Sequence, residues 1–233
     1  MYKRILLKLS GEQFKGNRDH GIDPEFIGWL GEEIKKATAE GTEMIIVVGG
    51  GNLVRGAAFA KNGIDQAPAD YMGMLATIMN GIALTEMLEK AGQPTRLMTR
   101  LRTESVAEPY IRRRAIRHLE KGRVVVIAGG TGNPYVTTDT ASVLAANELN
   151  CELVMKATKV DGVYDKDPET HPDAVKYETL SLSEAASNSE IRVMDRSAIA
   201  MAADNAVPIL VFKLEEDSIK EAVQGNSHGT LVQ

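Results

Sequence analysis

The sequence predicts an α/β fold built on a mostly parallel central sheet. Short apolar runs rich in β-branched residues alternate with longer segments of helical periodicity, and strands in that order are joined by crossover helices. The apolar runs are nearly continuous, which is typical of strands buried on both faces. No linker rich in Pro, Gly or Ser divides the 233 residues, so we expect a single domain.

The individual elements follow from local signals in the chain. Five apolar runs predict strands at Ile5–Leu7, Met44–Val48, Val124–Ala128, Leu153–Met155 and Ile209–Phe212. Six segments predict helices at about Pro24–Gly41, Ala67–Ala91, Glu108–Lys121, Thr138–Leu149, Asp195–Ala206 and Ser218–Gln224. The first helix has the clearest bounds, because Asp23 before Pro24 is a start signal and Gly41 is a stop signal.

Composition excludes several classes of protein. A single cysteine, Cys151, rules out an intramolecular disulfide framework and fits a reducing compartment. Lys8 interrupts the N-terminal apolar run, which therefore predicts a strand rather than a signal peptide. The apolar stretches are shorter than a membrane span. We expect a cytoplasmic protein with no membrane partner.

The net charge is −5, and the one basic cluster is Ile111–Arg117. Since it lies in a helix-like stretch with apolar residues, a solvated helix face or a subunit contact is the simpler interpretation. The chain has neither a basic domain nor interleaved aromatic residues, so we predict no nucleic-acid partner.

Ligands of parallel sheets bind beyond the carboxyl ends of the strands, and unusual residues follow four of the predicted strands. The first group is Lys8, which closes an apolar strand, with Ser10 and Gly11 after it. Its ammonium group can lie beside free backbone N–H groups, but a surface lysine at a strand end is an equally good interpretation.

The second group is the glycine run Gly49–Gly51, which follows a buried strand and precedes Arg55. Glycines let the backbone approach a ligand closely, and N–H groups at a helix start bind anions. Arg55 can add a bidentate phosphate contact. The loop matches neither the Walker A motif nor the dinucleotide fingerprint, and we favour phosphate binding over a purely structural turn.

The remaining two loops carry polar and acidic side chains. Thr131–Thr138 offers hydroxyls and an amide that suit a planar polar ligand, and Asp139 follows it. Asp139 could also be a simple helix-start charge, worth about 0.3–1 kcal/mol. Lys156 ends another apolar strand, and the turns after it flank Tyr164, which could cover a flat ring, although a charged hairpin loop is the alternative.

Together these loops contain cationic groups, phosphate-binding backbone and carboxylates, but no candidate nucleophile. The four histidines lie outside the glycine-rich loops, at His20, His118, His171 and His228. Phosphoryl transfer fits this set, because it depends on positioning and charge neutralisation more than on covalent chemistry.

The motifs KLSGE, GGGNLVRG, DYMGMLATIMNG, GTGNPYVTTD and KATKVDGVYDKDP resemble those of the bacterial uridylate kinases, a branch of the amino acid kinase family. The match continues in register to HGTLV near the C-terminus. MGMLAT after an Asp, and GTGNP with TTD, separate this branch from the acetylglutamate, glutamate, aspartate and carbamate kinases. The resemblance implies a three-layer αβα sandwich, a homohexamer, and direct transfer of the γ-phosphoryl group of ATP to UMP.

The resemblance also implies roles for individual residues. The catalytic group would be Lys8, Arg55, Asp139, Lys156 and Asp195, with the two aspartates orienting the lysines. ATP would contact Lys8, Leu9, Ser10, Gly11, Gly51, Arg55, Thr158, Tyr164 and Asp167. UMP would contact Gly50, Asp70, Thr131, Gly132, Asn133, Pro134, Tyr135, Val136, Thr137 and Thr138. From spacing alone, Asp70 is a helix-start charge and Asp195 an N-cap. The UMP lobe would span about 1–150 and the ATP lobe about 151–233.

Magnesium is expected to arrive with ATP and to be held by phosphates and water, since the sequence contains no all-carboxylate cage. UTP is an expected inhibitor at the UMP site. GTP is a candidate activator, because segment Gly16–Gly21 and Arg96 with Arg123 follow the pattern of relatives that respond to GTP. Thr85 and Glu89, however, replace basic residues on the neighbouring helix, and Glu89 would repel a triphosphate.

Three alternatives remain at this stage. The first is a nucleotide-binding storage or regulatory protein on the same fold, since fold alone does not determine function. The second is a kinase for a small acid such as acetylglutamate or carbamate, which the polar loop Thr131–Thr138 and Asp70 disfavour. The third is a preference for CMP over UMP, which depends on hydrogen-bond geometry at the base.

Overall fold

The computed structural model describes residues 1–54, 63–168, 170–188, 191 and 193–233. Its strands are β1 (Arg4–Leu9), β2 (Glu43–Val48), β3 (Thr95–Thr99), β4 (Glu108–Pro109), β5 (Val124–Ala128), β6 (Leu153–Thr158), β7 (Val163–Tyr164), β8 (Lys176–Tyr177), β9 (Thr179–Leu180), β10 (Ile209–Lys213) and β11 (Thr230–Val232). Its α-helices are α1 (Pro24–Thr38), α2 (Gln66–Lys90), α3 (Arg112–Leu119), α4 (Thr138–Leu149), α5 (Leu182–Ser187), α6 (Arg196–Asp204) and α7 (Ser218–Gln224), and a 3-10 helix spans Gly11–Lys15.

Among the described residues, the central sheet has nine strands in the order β4-β3-β5-β2-β1-β6-β10-β11-β9, while β7 and β8 form a separate two-stranded sheet. Every pairing within the nine-stranded sheet is parallel except that between β10 and β11. The predicted mostly parallel sheet is therefore confirmed. Because β1 lies between β2 and β6, the loops after these three strands meet at one edge.

Each face of the sheet is covered by its own layer of helices. Residues of α3, α4, α5 and α6 share one apolar cluster with the sheet, and residues of α1, α2 and α7 share the other. Side chains of β1 alternate between the two, with Leu6 in the first cluster and Leu7 in the second. Both faces of the strand are thus buried, which is why its sequence is almost continuously apolar. The αβα sandwich is confirmed.

Several strands are absent from the sequence prediction. β3 lies between β4 and β5 and has the sequence TRLMT, and its two threonines are 1% and 2% exposed. The helix predicted from Glu108 begins instead at Arg112, because Glu108 and Pro109 pair with Met98 and Thr99 as β4. β3 contains polar threonines and β4 has only two residues, so neither strand has the long apolar run from which strands were predicted. Both are recognised only by their pairing with neighbouring strands.

In the part of the chain that the structure describes, no helix has the length and apolar character needed to span a membrane.

Candidate functional site

Two lysines and one aspartate form an ionic cluster at the carboxyl edge of the sheet. Lys8 on β1 and Lys156 on β6 are register partners on adjacent parallel strands. The Asp139 carboxylate lies between them, with Oδ1 2.7 Å from Lys8 Nζ and Oδ2 3.1 Å from Lys156 Nζ. The three side chains are only 10%, 17% and 16% exposed, in the order Lys8, Lys156, Asp139. The Asp139 carboxylate thus keeps the ammonium groups of Lys8 and Lys156 close together.

Local structure determines where Asp139 points. Thr137 is the N-cap of α4, and its side-chain oxygen accepts a hydrogen bond of 3.0 Å from the Asp139 backbone N–H. This cap starts the helix at Thr138 and places Asp139 in its first turn, facing the strand ends. Asp139 is therefore a helix-start charge, as spacing suggested, and also the bridge between the lysines.

The cluster shifts the proton affinities of its members. Burial alone would raise the pKa of Asp139, but the charges of Lys8 and Lys156 outweigh that effect and hold its pKa below the usual range. Burial lowers the pKa of Lys156, and the nearby Lys8 charge lowers it further, against the opposing pull of Asp139. Asp139 is consequently ionised at neutral pH, and Lys156 can lose its proton below the ordinary lysine range.

Asp195 is the N-cap of α6, as its spacing predicted, with a 2.9 Å bond from the Ala198 N–H. Its carboxylate also accepts hydrogen bonds from the hydroxyls of Thr137 and Thr140 on α4. The described contacts of this carboxylate thus join α6 to α4. Asp195 acts on Lys156 through its charge, which opposes the lowering of the pKa of that lysine by burial. The expected role of Asp195 in orienting the lysines stays a prediction.

The loops after β1 and β2 are in direct backbone contact. Gly49 N–H donates to Leu9 O at 2.9 Å, and a Cβ on Gly11 would lie 2.5 Å from Gly51 N. Gly11 and Gly49 must both be glycine, because a Cβ at either position would collide with backbone atoms of the other loop. The Leu9 side chain is fully buried in the core, so any contact of Leu9 with ATP would be made by its backbone. Ser10 caps this turn, with its N–H donating to Gln13 Oε1 at 3.0 Å.

A cleft of about 150 Å³ opens beside these loops. Of the residues that the resemblance assigns to the two substrates, the cleft is lined by Gly50, Gly51, Asp70, Val136, Thr137 and Thr138. The Asp70 carboxylate accepts a 2.7 Å hydrogen bond from the Tyr135 N–H, which ties the start of α2 to this loop. Tyr135 itself is 75% exposed and has φ of 65°.

The remaining residues predicted for UMP continue the same loop outside the lining of the cleft: Thr131, Gly132, Asn133, Pro134 and Tyr135. Sequence reasoning missed Gly73, Met74 and Thr77, which line the cleft from α2. They follow Asp70 at the spacing of one helix face, so that spacing could have identified them.

The residues predicted for the adenosine half of ATP lie on the segment after β6. Thr158 ends β6, and its hydroxyl bonds both the oxygen and the N–H of Val160. The Tyr164 hydroxyl donates to Asp161 at 2.6 Å, and this bond lowers the pKa of Asp161 and raises the pKa of Tyr164. Asp167 follows in the same segment. Arg55 lies outside the described residues.

Among the described residues, no group of three or more His, Cys, Asp or Glu side chains could hold a metal ion. The Asp139 carboxylate already forms ion pairs with two ammonium groups. That magnesium is carried by the ATP phosphates stays a prediction.

Comparison with known proteins matches this architecture. The sequence model of the amino acid kinase family covers residues 3–213. The chain belongs to the amino acid kinase family. It is also similar to the solved UMP kinase from Bacillus anthracis, with 36% identity, a TM-score of 0.95, and coverage of 100% of this chain and 96% of the other.

Two further solved structures are similar to this chain over nearly their whole lengths. The UMP kinase from Ureaplasma parvum has 32% identity and a TM-score of 0.93, covering 100% of this chain and 99% of that one. The uridylate kinase from Archaeoglobus fulgidus has 26% identity and a TM-score of 0.77, covering 98% and 99%. The family expected from the motifs is confirmed, and the roles of single residues stay predictions.

Proposed function

We propose that this chain transfers the γ-phosphoryl group of ATP directly to UMP, giving UDP and ADP in pyrimidine nucleotide biosynthesis. The observation that carries the proposal is the bridge from Lys8 through Asp139 to Lys156, beside glycine loops in backbone contact and next to a cleft that Asp70, Thr137 and Thr138 help to line. The similar proteins that are named UMP kinases support the same acceptor. The Asp139 carboxylate is paired with both lysines, which suits direct transfer rather than a covalent intermediate on this carboxylate.

In this mechanism the chain positions two substrates and neutralises charge. Lys8, Ser10 and Gly11 would bind the ATP phosphates, with Gly51 and Arg55 near the transferred group. Backbone N–H groups of loops of this kind form concave anion sites. Asp139 keeps the two ammonium groups together, so that both can meet the charge that develops on the equatorial oxygens.

The acceptor would lie in the cleft, with its phosphate toward the glycine loops. Asp70 would bind the ribose hydroxyls, and Thr131–Thr138 would enclose the base. Thr158, Tyr164 and Asp167 would surround the adenosine of ATP, which assigns about 1–150 to UMP and about 151–233 to ATP. Magnesium bound with ATP would supply charge neutralisation on the phosphates.

Assembly and regulation are part of the proposal. Tyr71, Leu75 and Met79 recur one turn apart on α2 with 44%, 51% and 54% exposure, and this apolar stripe supports a homo-oligomer, which we propose is a hexamer. UTP would compete with UMP at the same cleft.

The residues near the expected GTP site disfavour GTP activation. Glu89 Oε1 accepts hydrogen bonds from Arg96 Nη1 at 3.1 Å and from Thr95 N–H at 2.7 Å. The arginine that would meet a triphosphate is therefore paired within the chain. We propose that GTP has little effect on the rate.

The test is a coupled ADP-release assay with Mg-ATP and each nucleoside monophosphate in turn, repeated with GTP and UTP. Turnover with UMP and little with CMP, AMP or GMP supports the proposal. A preference for CMP overturns the specificity. Binding of UMP or ATP without turnover favours the storage or regulatory alternative.

A further inference from the structure

Two asparagines form a buried amide pair behind the glycine loop Gly49–Gly51. Asn80 on α2 is 0% exposed, and Asn52 at the end of the loop is 5% exposed. Each side chain donates to the other, with Asn52 Nδ2 3.0 Å from Asn80 Oδ1 and Asn80 Nδ2 2.7 Å from Asn52 Oδ1. Neither residue belongs to the substrate contacts described above.

Each amide group also holds a backbone carbonyl. Asn80 Nδ2 donates to Gly49 O at 2.7 Å, and Asn52 Nδ2 donates to Gly21 O at 2.8 Å. Gly21 N–H donates in return to Asn52 O at 3.1 Å. Because carbonyl oxygens only accept, both Nδ2 groups must face them, which determines the orientation of the two amides.

The carbonyl that Asn80 holds belongs to the loop that contacts the expected ATP phosphate segment. A Cβ on Gly11 would lie 2.8 Å from Gly49 O, so Gly49 and Gly11 have no space between them. A shift of the Gly49 peptide would therefore move Gly11 as well. Asn80 thus acts on both backbones that are expected to face phosphate.

The same helix also holds the other glycine-rich loop. Thr77, three residues before Asn80, accepts a 2.8 Å hydrogen bond from Gly129 N–H. One rigid helix therefore sets the positions of the loops after β2 and β5. Since phosphoryl transfer depends on alignment of donor and acceptor, a shared frame for both loops has a direct consequence for rate.

We propose that the Asn52–Asn80 pair is a positioning element for phosphoryl transfer, which holds the Gly49–Gly51 backbone against Gly11 and joins it to Gly21. This inference rests on the proposed function. The mutual Asn52–Asn80 hydrogen bonds are not by themselves required for stability, because replacing both partners of a buried hydrogen bond by apolar groups of similar shape is often nearly neutral. The bonds to Gly49 O and Gly21 O are the ones that tie the pair to the loops. The role of the pair is to restrict the Gly49–Gly51 loop to one geometry.

The experiment compares Asn80→Leu, the double variant Asn52→Leu/Asn80→Leu and wild type in steady-state turnover of Mg-ATP and UMP. We expect Asn80→Leu to lower kcat about 100-fold, the order expected for a misplacement of about 1 Å. KM for both substrates should change much less than kcat, because the side chains do not touch the substrates and the loop shift mainly misaligns the transferred group. Folding is checked by thermal melting, and Asn80→Ser serves if the leucine variant does not fold.

The double variant separates positioning from stability. If the pair positions the loop, the double variant regains part of the melting temperature lost in Asn80→Leu, because no amide is left facing leucine, and it keeps a low kcat. If the pair is only structural, kcat of the folded protein recovers with the melting temperature, and the inference is overturned. Glu33→Gln is the matched control, because Glu33 is 2% exposed and bonds Lys36 and Asp217 N–H on the α1–α7 side. It should lower stability and leave kcat unchanged.

Failure of this inference and failure of the proposed function give different results. Wild type without turnover on any acceptor refutes the proposed function, and the positioning role with it. An active wild type with unchanged kcat in Asn80→Leu refutes only the positioning role.

Discussion

Lys8 and Lys156 are register partners on adjacent parallel strands, and both ammonium groups reach one carboxylate, that of Asp139. Side chains at paired positions of neighbouring strands lie on the same face of a sheet, so the two cations would repel each other if they were alone. Asp139 offsets this repulsion and keeps both cations at the strand ends. The cluster is therefore a structural requirement as well as a candidate catalytic group.

Replacing the bridging carboxylate by an amide should disable the site. Asp139→Asn leaves two buried ammonium groups without a counter-charge, and we expect a loss of about 3 kcal/mol in the free energy of unfolding. We expect kcat to fall at least about 100-fold, since the lysines would separate. Urea unfolding and steady-state turnover measure the two effects.

The control for this variant is Glu43→Gln. Glu43 is 15% exposed and pairs with Arg4 at 2.6 Å, at the starts of β2 and β1 and therefore at the edge of the sheet opposite to Lys8. The kcat of the Glu43→Gln variant should equal that of wild type. Wild-type kcat in Asp139→Asn would remove Asp139 from the catalytic group.

Loss of the β1 lysine should affect rate more than acceptor affinity. Lys8→Ala removes a charge expected to stabilise the transferred phosphoryl group, so kcat should fall by about 100-fold or more while UMP binding stays within about threefold. Stopped assays give kcat, and calorimetry gives UMP affinity. Lys213→Ala, an exposed lysine on β10, is the control. Unchanged turnover in Lys8→Ala would contradict the assignment of that lysine.

The buried lysine should set an alkaline limit on activity. Burial lowers the pKa of Lys156 below its ordinary value of 10.5, so kcat/KM should decline as pH rises through that lowered pKa. The contribution of Lys156 to the free energy of unfolding changes with pH in the opposite direction. Between the folded pKa and 10.5 the unfolded chain binds more protons, so this group adds stability as pH rises.

Lys156→Arg tests the origin of that limit. Arginine keeps its charge over this range, so the decline in kcat/KM should move to higher pH, even if the maximal rate is lower. Lys213→Arg should leave the profile unchanged. An alkaline decline at the same pH in Lys156→Arg would assign the limit to a different group.

The contact between the first two loops should not tolerate a methyl group. In Gly11→Ala the Cβ would lie 2.5 Å from Gly51 N, and relieving that overlap must move backbone. We expect a loss of about 1–3 kcal/mol in stability and a raised KM for ATP. Gly31→Ala on α1 is the control, since its nearest contact is 3.5 Å from Met87 O. Wild-type KM for ATP in Gly11→Ala would show that this loop is not at the phosphates.

A charge in the apolar stripe of α2 should weaken assembly. Leu75→Glu places a carboxylate in the proposed subunit contact, and we expect sedimentation to show a smaller species than wild type. Val106→Glu, at a similarly exposed residue outside α2 with 55% exposure, should sediment as wild type does. Equal mass for wild type and Leu75→Glu would place the contact elsewhere.

Local sequence patterns were sufficient to predict the main strands and helices, and they failed where a strand lacks an apolar run. The apolar runs identified β1, β2, β5, β6 and β10, and the start signal Asp23–Pro24 located α1, whose N-cap side chain bonds the Glu25 N–H. The missed β3 lies between β4 and β5, and its two threonines are buried although they are polar. Its strand character comes from pairing rather than from its own residues.

The sequence by itself determined the α/β class, the glycine loops and the lysines at strand ends, because these depend on periodicity and residue type within short windows. Only the tertiary structure decided that β1 lies between β2 and β6 in a register that pairs Lys8 with Lys156, and that α4 brings Asp139 to both. It likewise decided that Asn80 meets Asn52 and Gly49. The physical reason is that strand order and helix docking depend on contacts between distant segments, which no local window contains.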